Sequence, residues 1–161
     1  MILSTHAVVG GAIASLIPAH PVLAVIAGFA SHFAIDAIPH WDYPLCSISA
    51  GKDADNRRLR LSRGLLLDLF LIGTDGCIGL ALTVWLFAAP ATAWTIVLGA
   101  TAGMLPDALQ LAYSLYPREP LVAFQRLHGW IHSKQKLGWR LGASSQFALG
   151  AVVSTVAFAL A

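Results

Sequence analysis

Apolar residues run along this chain in long blocks, separated by short Pro-containing turns and two polar segments. The blocks from about Leu3 to Ile17, Val22 to Ile38, Gly64 to Ala88, Ala93 to Tyr116 and Leu137 to Ala161 contain few charges and end at helix breakers or polar loops. That pattern predicts five apolar helices. Ser4 or Thr5 is the expected N-cap of the first. Pro18-Ala19-His20-Pro21 and Pro90-Ala91-Thr92 read as tight turns, Pro39 as the stop of the second helix and Pro106 as a kink in the fourth. Between the fourth and fifth blocks, Pro120 to about Gln135 sets Leu121, Phe124, Leu127 and Ile131 on one side, as an amphipathic surface helix does. The third, fourth and fifth blocks reach the ~20 residues that a membrane span needs. The first two are shorter, which calls for tilt or a locally thin bilayer.

Composition agrees with a lipid environment. The chain is 57% hydrophobic and 11% charged, whereas soluble domains carry about 25% charged residues. Its mean hydropathy is +0.71. The expected fold is all-α: a polytopic membrane helical bundle of about five transmembrane helices plus one amphipathic surface helix, as a single domain over residues 1–161. The N-terminus lacks a basic region, so no cleavable signal peptide is expected. Cys46 lies in a polar loop and Cys77 in an apolar run, which argues against a disulfide framework or a thiolate metal site.

The ten Lys and Arg residues fall in two segments: Lys52, Arg57, Arg58, Arg60 and Arg63, then Arg118, Arg126, Lys134, Lys136 and Arg140. The two Pro turns carry none. The positive-inside rule puts both basic segments in the cytoplasm, giving an inner-membrane protein with its N-terminus inside and C-terminus outside. Trp85 and Trp94 flank the outer turn, while Trp41, Trp130 and Trp139 fall near the inner face.

Ionisable residues inside such blocks are expensive and mark function. His6 stands 12 residues before Pro18, His32 and Asp36 stand 11 and 15 after Pro21, Asp75 stands 14 before Ala89, and Asp107 stands 14 after Ala93. At about 1.5 Å per residue, these five groups share one level within roughly 6 Å. His32 and Asp36 share a helix face, and His40 follows beyond Pro39. Asp68 lies on the face of Asp75, nearer the cytoplasm, and His128 is on the apolar side of the surface helix, from where it can reach up under the bundle. The expected metal ligands are therefore His6, His32, Asp36, His40, Asp68, Asp75, Asp107 and His128. Simpler roles exist for several of them. Asp68 suits a helix N-terminus near Arg63, Asp75 an interhelical hydrogen bond, and Asp107 a backbone amide freed by Pro106. His132 suits the membrane interface, and Asp42 and Asp53 solvated loops. The Gly99-x-x-x-Gly103 and Gly11-x-x-x-Ser15 patterns and Gly73, Gly76 and Gly79 suit close helix packing.

Histidine and carboxylate donors without thiolate favour zinc, manganese or iron(II). Carboxylates gathered in one cavity need cations, and the ligand count suits one or two divalent ions. A two-ion centre activates water and clamps the oxygens of a displaced phosphate or ester. Whichever of Asp75 and Asp107 does not touch an ion would be the general base. Basic loops beside it attract anionic headgroups. The expected activity is hydrolysis of a lipid or lipid-linked phosphoester from the cytoplasmic leaflet, with membrane lipid rather than nucleic acid as partner.

Thr5-His6-Ala7, the block Ser31-His32-x-x-x-Asp36-x-x-Pro39-His40-x-Asp42, and Leu105-Pro106-Asp107 resemble, over nearly the whole chain, the small integral-membrane metal-dependent hydrolases that include the LexA-regulated inner-membrane family. The H-x-x-x-D block alone is also similar to zinc-dependent phospholipase C and the related single-strand nucleases, which use a trinuclear zinc cluster. The first resemblance implies a metal-dependent hydrolase. The membrane family often reads L-P-D-x-D-H, but here Ala108, Leu109 and Gln110 follow Asp107, so that element lacks its second carboxylate and its histidine. Two non-enzymatic readings compete: a proton- or metal-coupled transporter, and a structural metal. The outer half offers only His20 as an ionisable group, which suits a dead-end cavity better than a conduit.

Overall fold

The computed structural model describes residues 1–45, 47–48 and 62–160. Cys46, Lys52, Asp53, Arg57, Arg58 and Arg60 lie outside the described residues. The described chain is helical: α1 (Leu3–Ser15), α2 (Pro21–Asp36), α3 (Arg63–Phe87), α4 (Ala93–Leu115), α5 (Leu121–Ile131) and α6 (Trp139–Leu160). Three of these, α3, α4 and α6, are long and apolar enough to cross a membrane. With 13 and 16 residues, α1 and α2 extend about 20 and 24 Å, short of a ~30 Å hydrocarbon layer.

Local signals account for the starts of α2 and α3. Pro21 opens α2 at a position where its missing N–H costs nothing. Ser62 caps α3, its hydroxyl accepting from Leu65 N at 3.2 Å. The start of α1 departs from the expected Ser4 or Thr5 cap. The helix begins at Leu3 with no cap of its own, and its first amides are satisfied from other elements. Ile2 N donates to Gln146 Oε1 of α6 at 2.9 Å, Leu3 N to the Tyr43 hydroxyl at 2.8 Å, and Ser4 N to Asp75 Oδ2 of α3 at 2.8 Å. Three distant parts of the chain thus do the work that one capping residue ordinarily does.

Small residues let the backbones meet. A Cβ on Gly10 would lie 2.5 Å from Gly99 O, one on Gly28 2.3 Å from the same oxygen, and one on Gly103 2.6 Å from His6 O. The Gly99-x-x-x-Gly103 stripe of α4 is therefore the seat of both α1 and α2. Gly79 takes Ser4 in the same manner and Gly11 takes Thr83, so α1 runs parallel to α3 and starts near its midpoint. The outward faces of α3 and α6 remain apolar and uncovered, with Leu67, Phe70, Ile78, Phe147, Val152 and Leu160 exposed. Only 17% of the apolar window of each is buried inside the structure. So large an apolar surface matches lipid rather than water. Trp85 and Trp94 are exposed at one end, Trp130 and Trp139 at the other.

The surface helix stops at Ile131 rather than near Gln135. The chain then leaves helical geometry because it pairs with the segment after α2. Ser133 N donates to Asp36 O at 2.8 Å and Leu137 N to His40 O at 3.0 Å, with a parallel bridge between His40 and Lys136. This splice carries His132 and Lys136 to the chamber below α1.

Candidate metal centre

Five imidazoles turn their Nε2 atoms towards one carboxylate, that of Asp36 at the last turn of α2. Asp36 Oδ2 lies 3.1 Å from His32 Nε2, 3.2 Å from His128 Nε2 and 3.7 Å from His132 Nε2. Its Oδ1 lies 3.3 Å from His6 Nε2, 3.8 Å from His40 Nε2 and 3.0 Å from the Met1 amino group. Asp107 enters from α4, with Oδ1 3.8 Å from His32 Nε2 and Oδ2 3.9 Å from His6 Nε2. His32 and His128 approach each other at 3.3 Å, and the His6 and His32 rings stack with centroids 3.9 Å apart. Among the described residues, two groups could hold a metal ion, with ligand atoms within 4.8 Å of one another: His32, Asp36, Asp107 and His128, and Asp36, His40 and His132. Bonds of about 2.1 Å in a tetrahedron put donors about 3.4 Å apart, a spacing close to that of the His32–Asp36–His128 trio.

The protonation of the rings points the same way. His32 Nδ1 sits 2.8 Å from Gly103 O, and His40 Nδ1 sits 2.7 Å from Ile38 O. A carbonyl only accepts, so each Nδ1 carries the proton. A neutral ring then presents a lone pair at Nε2. For His32 that lone pair faces Asp36 Oδ2, and for His40 it faces Asp42 Oδ1 at 3.0 Å. Lone pair against carboxylate repels unless a positive charge stands between them. His40 Nε2 and both ring nitrogens of His6 are buried without a hydrogen-bond partner, although His6, His32, Asp36 and His40 are all 0% exposed. A backbone carbonyl holding the far nitrogen of a histidine is also the usual support of a metal-ligating ring. The residues present fit a divalent cation.

Chain geometry explains how they meet. Gly103 serves twice: its bare Cα admits α1 at His6, and its oxygen orients His32. Pro106 has no N–H for the preceding turn, and Asp107 follows it directly. His128 is buried on α5, beside Phe33 and Phe124.

Of the residues expected from sequence, the structure gathers His6, His32, Asp36, His40, Asp107 and His128 in one chamber. Asp75 and Asp68 lie outside both groups. Asp75 accepts from Ser4 N and, at 2.5 Å, from the Tyr43 hydroxyl, so it serves the start of α1 and the segment after α2. Asp68 accepts from Ser47 N at 2.6 Å and Ile48 N at 3.0 Å and holds the loop against α3. Sequence reasoning missed three neighbours. Asp42 is no solvated loop residue, since it contacts His40, Met1 and Lys136. Burial alone would raise its pKa, but the positive charges of the N-terminal amino group and Lys136 hold it well below the usual carboxylate range. His132 reaches the chamber instead of the interface, and burial lowers its pKa, favouring the neutral ring. Burial and Asp75 push the Tyr43 phenol above its ordinary value, so it remains a donor at any ordinary pH. The signals for these residues were present: Asp42 two residues after His40, and His132 one helical turn after His128.

The chamber has a closed and an open side. The side chains of His132, Asp107 and Asp42 are 22%, 25% and 35% exposed and form its rim. Towards the α3–α4 turn, Ala14, Ala24 and Ile96 pack with Ile17, Phe87 and Ala88 into an apolar seal. A shallow recess on the outer face of α3, lined by residues such as Leu69, Gly73 and Cys77, is apolar and includes none of the clustered side chains. No family model, no curated protein and no solved structure matches the chain.

Proposed function

We propose that this protein is a membrane-embedded metal-dependent hydrolase that cleaves a lipid or lipid-linked phosphoester reaching it from the cytoplasmic leaflet. The observation that carries the reading is the convergence of His32, Asp36, Asp107 and His128 beside an accessible rim. His32, Asp36 and His128, with His6 next to them, would hold the ion. Zinc is the first candidate, with manganese or iron(II) next, because the donors are imidazole nitrogen and carboxylate oxygen. A bound ion supplies Lewis-acid polarisation and lowers the pKa of water.

The chain's own side chains divide the remaining tasks. Asp107, partly exposed and pointing at the cluster, accepts the proton of the attacking water. That task falls to Asp107 rather than Asp75, whose oxygen is committed to Tyr43 and Ser4. Phe33 and Phe124 pack on the His128 ring and keep water from its buried side. Lys134, Lys136 and Arg140, next to the splice between α5 and α6, draw anionic headgroups to the rim. In this reading the N-terminus and the rim face the cytoplasm, α3, α4 and α6 cross the bilayer, and α1 and α2 enter only part of its thickness. The apolar seal at the outer end disfavours transport, which needs a polar path through the bundle.

The test is turnover by the purified protein in detergent. Its substrates are a chromogenic phosphodiester and mixed phosphatidylglycerol–phosphatidylethanolamine micelles, with headgroup, phosphate and fatty-acid release all measured. Expected is hydrolysis that is abolished by chelation, restored by Zn²⁺ or Mn²⁺, and reduced at least about 100-fold in Asp107→Asn. A metal-loaded protein that releases none of these products but takes up ions in proteoliposomes would overturn the reading.

A further inference from the structure

The second group of donors has no part in the function proposed above. His40 Nε2 is completely buried, lacks a hydrogen-bond partner, and aims its lone pair at the gap between Asp36 and Asp42. His132 stands at the other side of Asp36, its Nδ1 3.1 Å from Ser133 O, the same carbonyl support that His32 and His40 have. A positive charge already rests in this gap: the Met1 amino group lies 3.0 Å from both Asp36 Oδ1 and Asp42 Oδ1. Lys136 pairs with the other oxygen of Asp42 from an exposed position, which leaves Oδ1 facing inwards.

We infer that the chamber binds a second divalent cation, held by His40, His132 and Asp42 and sharing the Asp36 carboxylate with the first. The two oxygens of Asp36 have different neighbours. Oδ2 is nearest to His32 and His128, with His132 at 3.7 Å, while Oδ1 lies 3.0 Å from the Met1 amino group, 3.3 Å from His6 Nε2 and 3.8 Å from His40 Nε2. Asp36 belongs to both groups of donors, so its carboxylate can be shared by two ions, the second taking the place of the Met1 amino group beside Asp36 Oδ1 and Asp42 Oδ1. The second ion is also the more exchangeable, because His132 and Asp42 belong to the exposed rim whereas His32, His128 and Asp36 do not. The inference rests on the reading of the His32–Asp36–Asp107–His128 group as a metal centre, and its test separates the two.

Purified wild-type protein is stripped with chelator and titrated with Mn²⁺, with bound metal counted by elemental analysis and the ions observed by electron paramagnetic resonance. Expected are two equivalents per chain and the spectrum of an exchange-coupled pair. His132→Ala and Asp42→Asn should each weaken the second equivalent by more than about tenfold and convert the spectrum to that of an isolated ion. Saturation of the wild type at one equivalent, without coupling, overturns the second site and leaves the first standing. Failure to retain any metal removes both. The wild-type count and coupling decide the matter even if a variant does not fold.

Discussion

Each ring of His32 and His40 has two separate attachments, a proton given to a backbone oxygen and a lone pair kept for the chamber. This division makes the site sensitive to single atoms. Replacing His32 or Asp36 with Ala is expected to abolish metal retention in the purified protein, read by elemental analysis; full occupancy after both replacements would refute the assignment. Tyr43 makes a different kind of contribution. Its hydroxyl accepts from Leu3 N and donates to Asp75, so Tyr43→Phe strands the Leu3 amide and removes one of the two hydrogen bonds to the Asp75 carboxylate. The expected loss is about 1–3 kcal/mol, seen as a lower thermal midpoint in detergent, with Asp75→Asn milder because an amide oxygen still accepts from Ser4 N. A variant as stable as wild type would show that α1 does not depend on this cap.

Among the elements, α4 is the one on which the others are seated, and its glycines make the packing and the chemistry inseparable. Gly103→Ala would press a methyl to within 2.6 Å of His6 O. It is expected to cost about 1–3 kcal/mol and to reduce metal affinity, because α1 and the carbonyl that orients His32 must both shift. Gly73→Ala, with open space around its Cα, is the matched control and should leave stability and metal binding unchanged. Helices of this kind were legible in the sequence because apolar blocks bounded by proline leave few alternatives, and α3, α4 and α6 lie close to their expected limits. Residue counts between turns also measured height along a helix, which is why His6, His32, Asp36 and Asp107 could be grouped beforehand. Rotation about the axis was not legible, and Asp75 is the instance: it stands at the expected level but faces the α1 terminus. Contacts made by irregular segments escaped as well. Asp42 and His132 reach the chamber through a backbone pairing between residues 36–40 and 133–137 that no periodicity announces.

At the scale of the molecule, bound metal and fold should be coupled, since the chamber collects side chains from α1, α2, α4, α5 and both flanking loops. Chelation is expected to lower the thermal midpoint, and metal at 100 times its dissociation constant to restore about 2.7 kcal/mol per site. An unchanged midpoint would mean that the bundle stands without its cations. Orientation can be checked by cysteine labelling at Ser133 in a background lacking Cys46 and Cys77. An impermeant reagent should react only from the cytoplasmic side, and labelling from outside would reverse the assignment of the rim. The borrowed cap of α1 finally sets an order of events during biosynthesis. Because α1 precedes these partners in the chain, its leading amides cannot take their native hydrogen bonds until Tyr43, Asp75 and then Gln146 of α6 have been made. The α1 contacts that set His6 against Asp36 are thus completed only after α6 has been made.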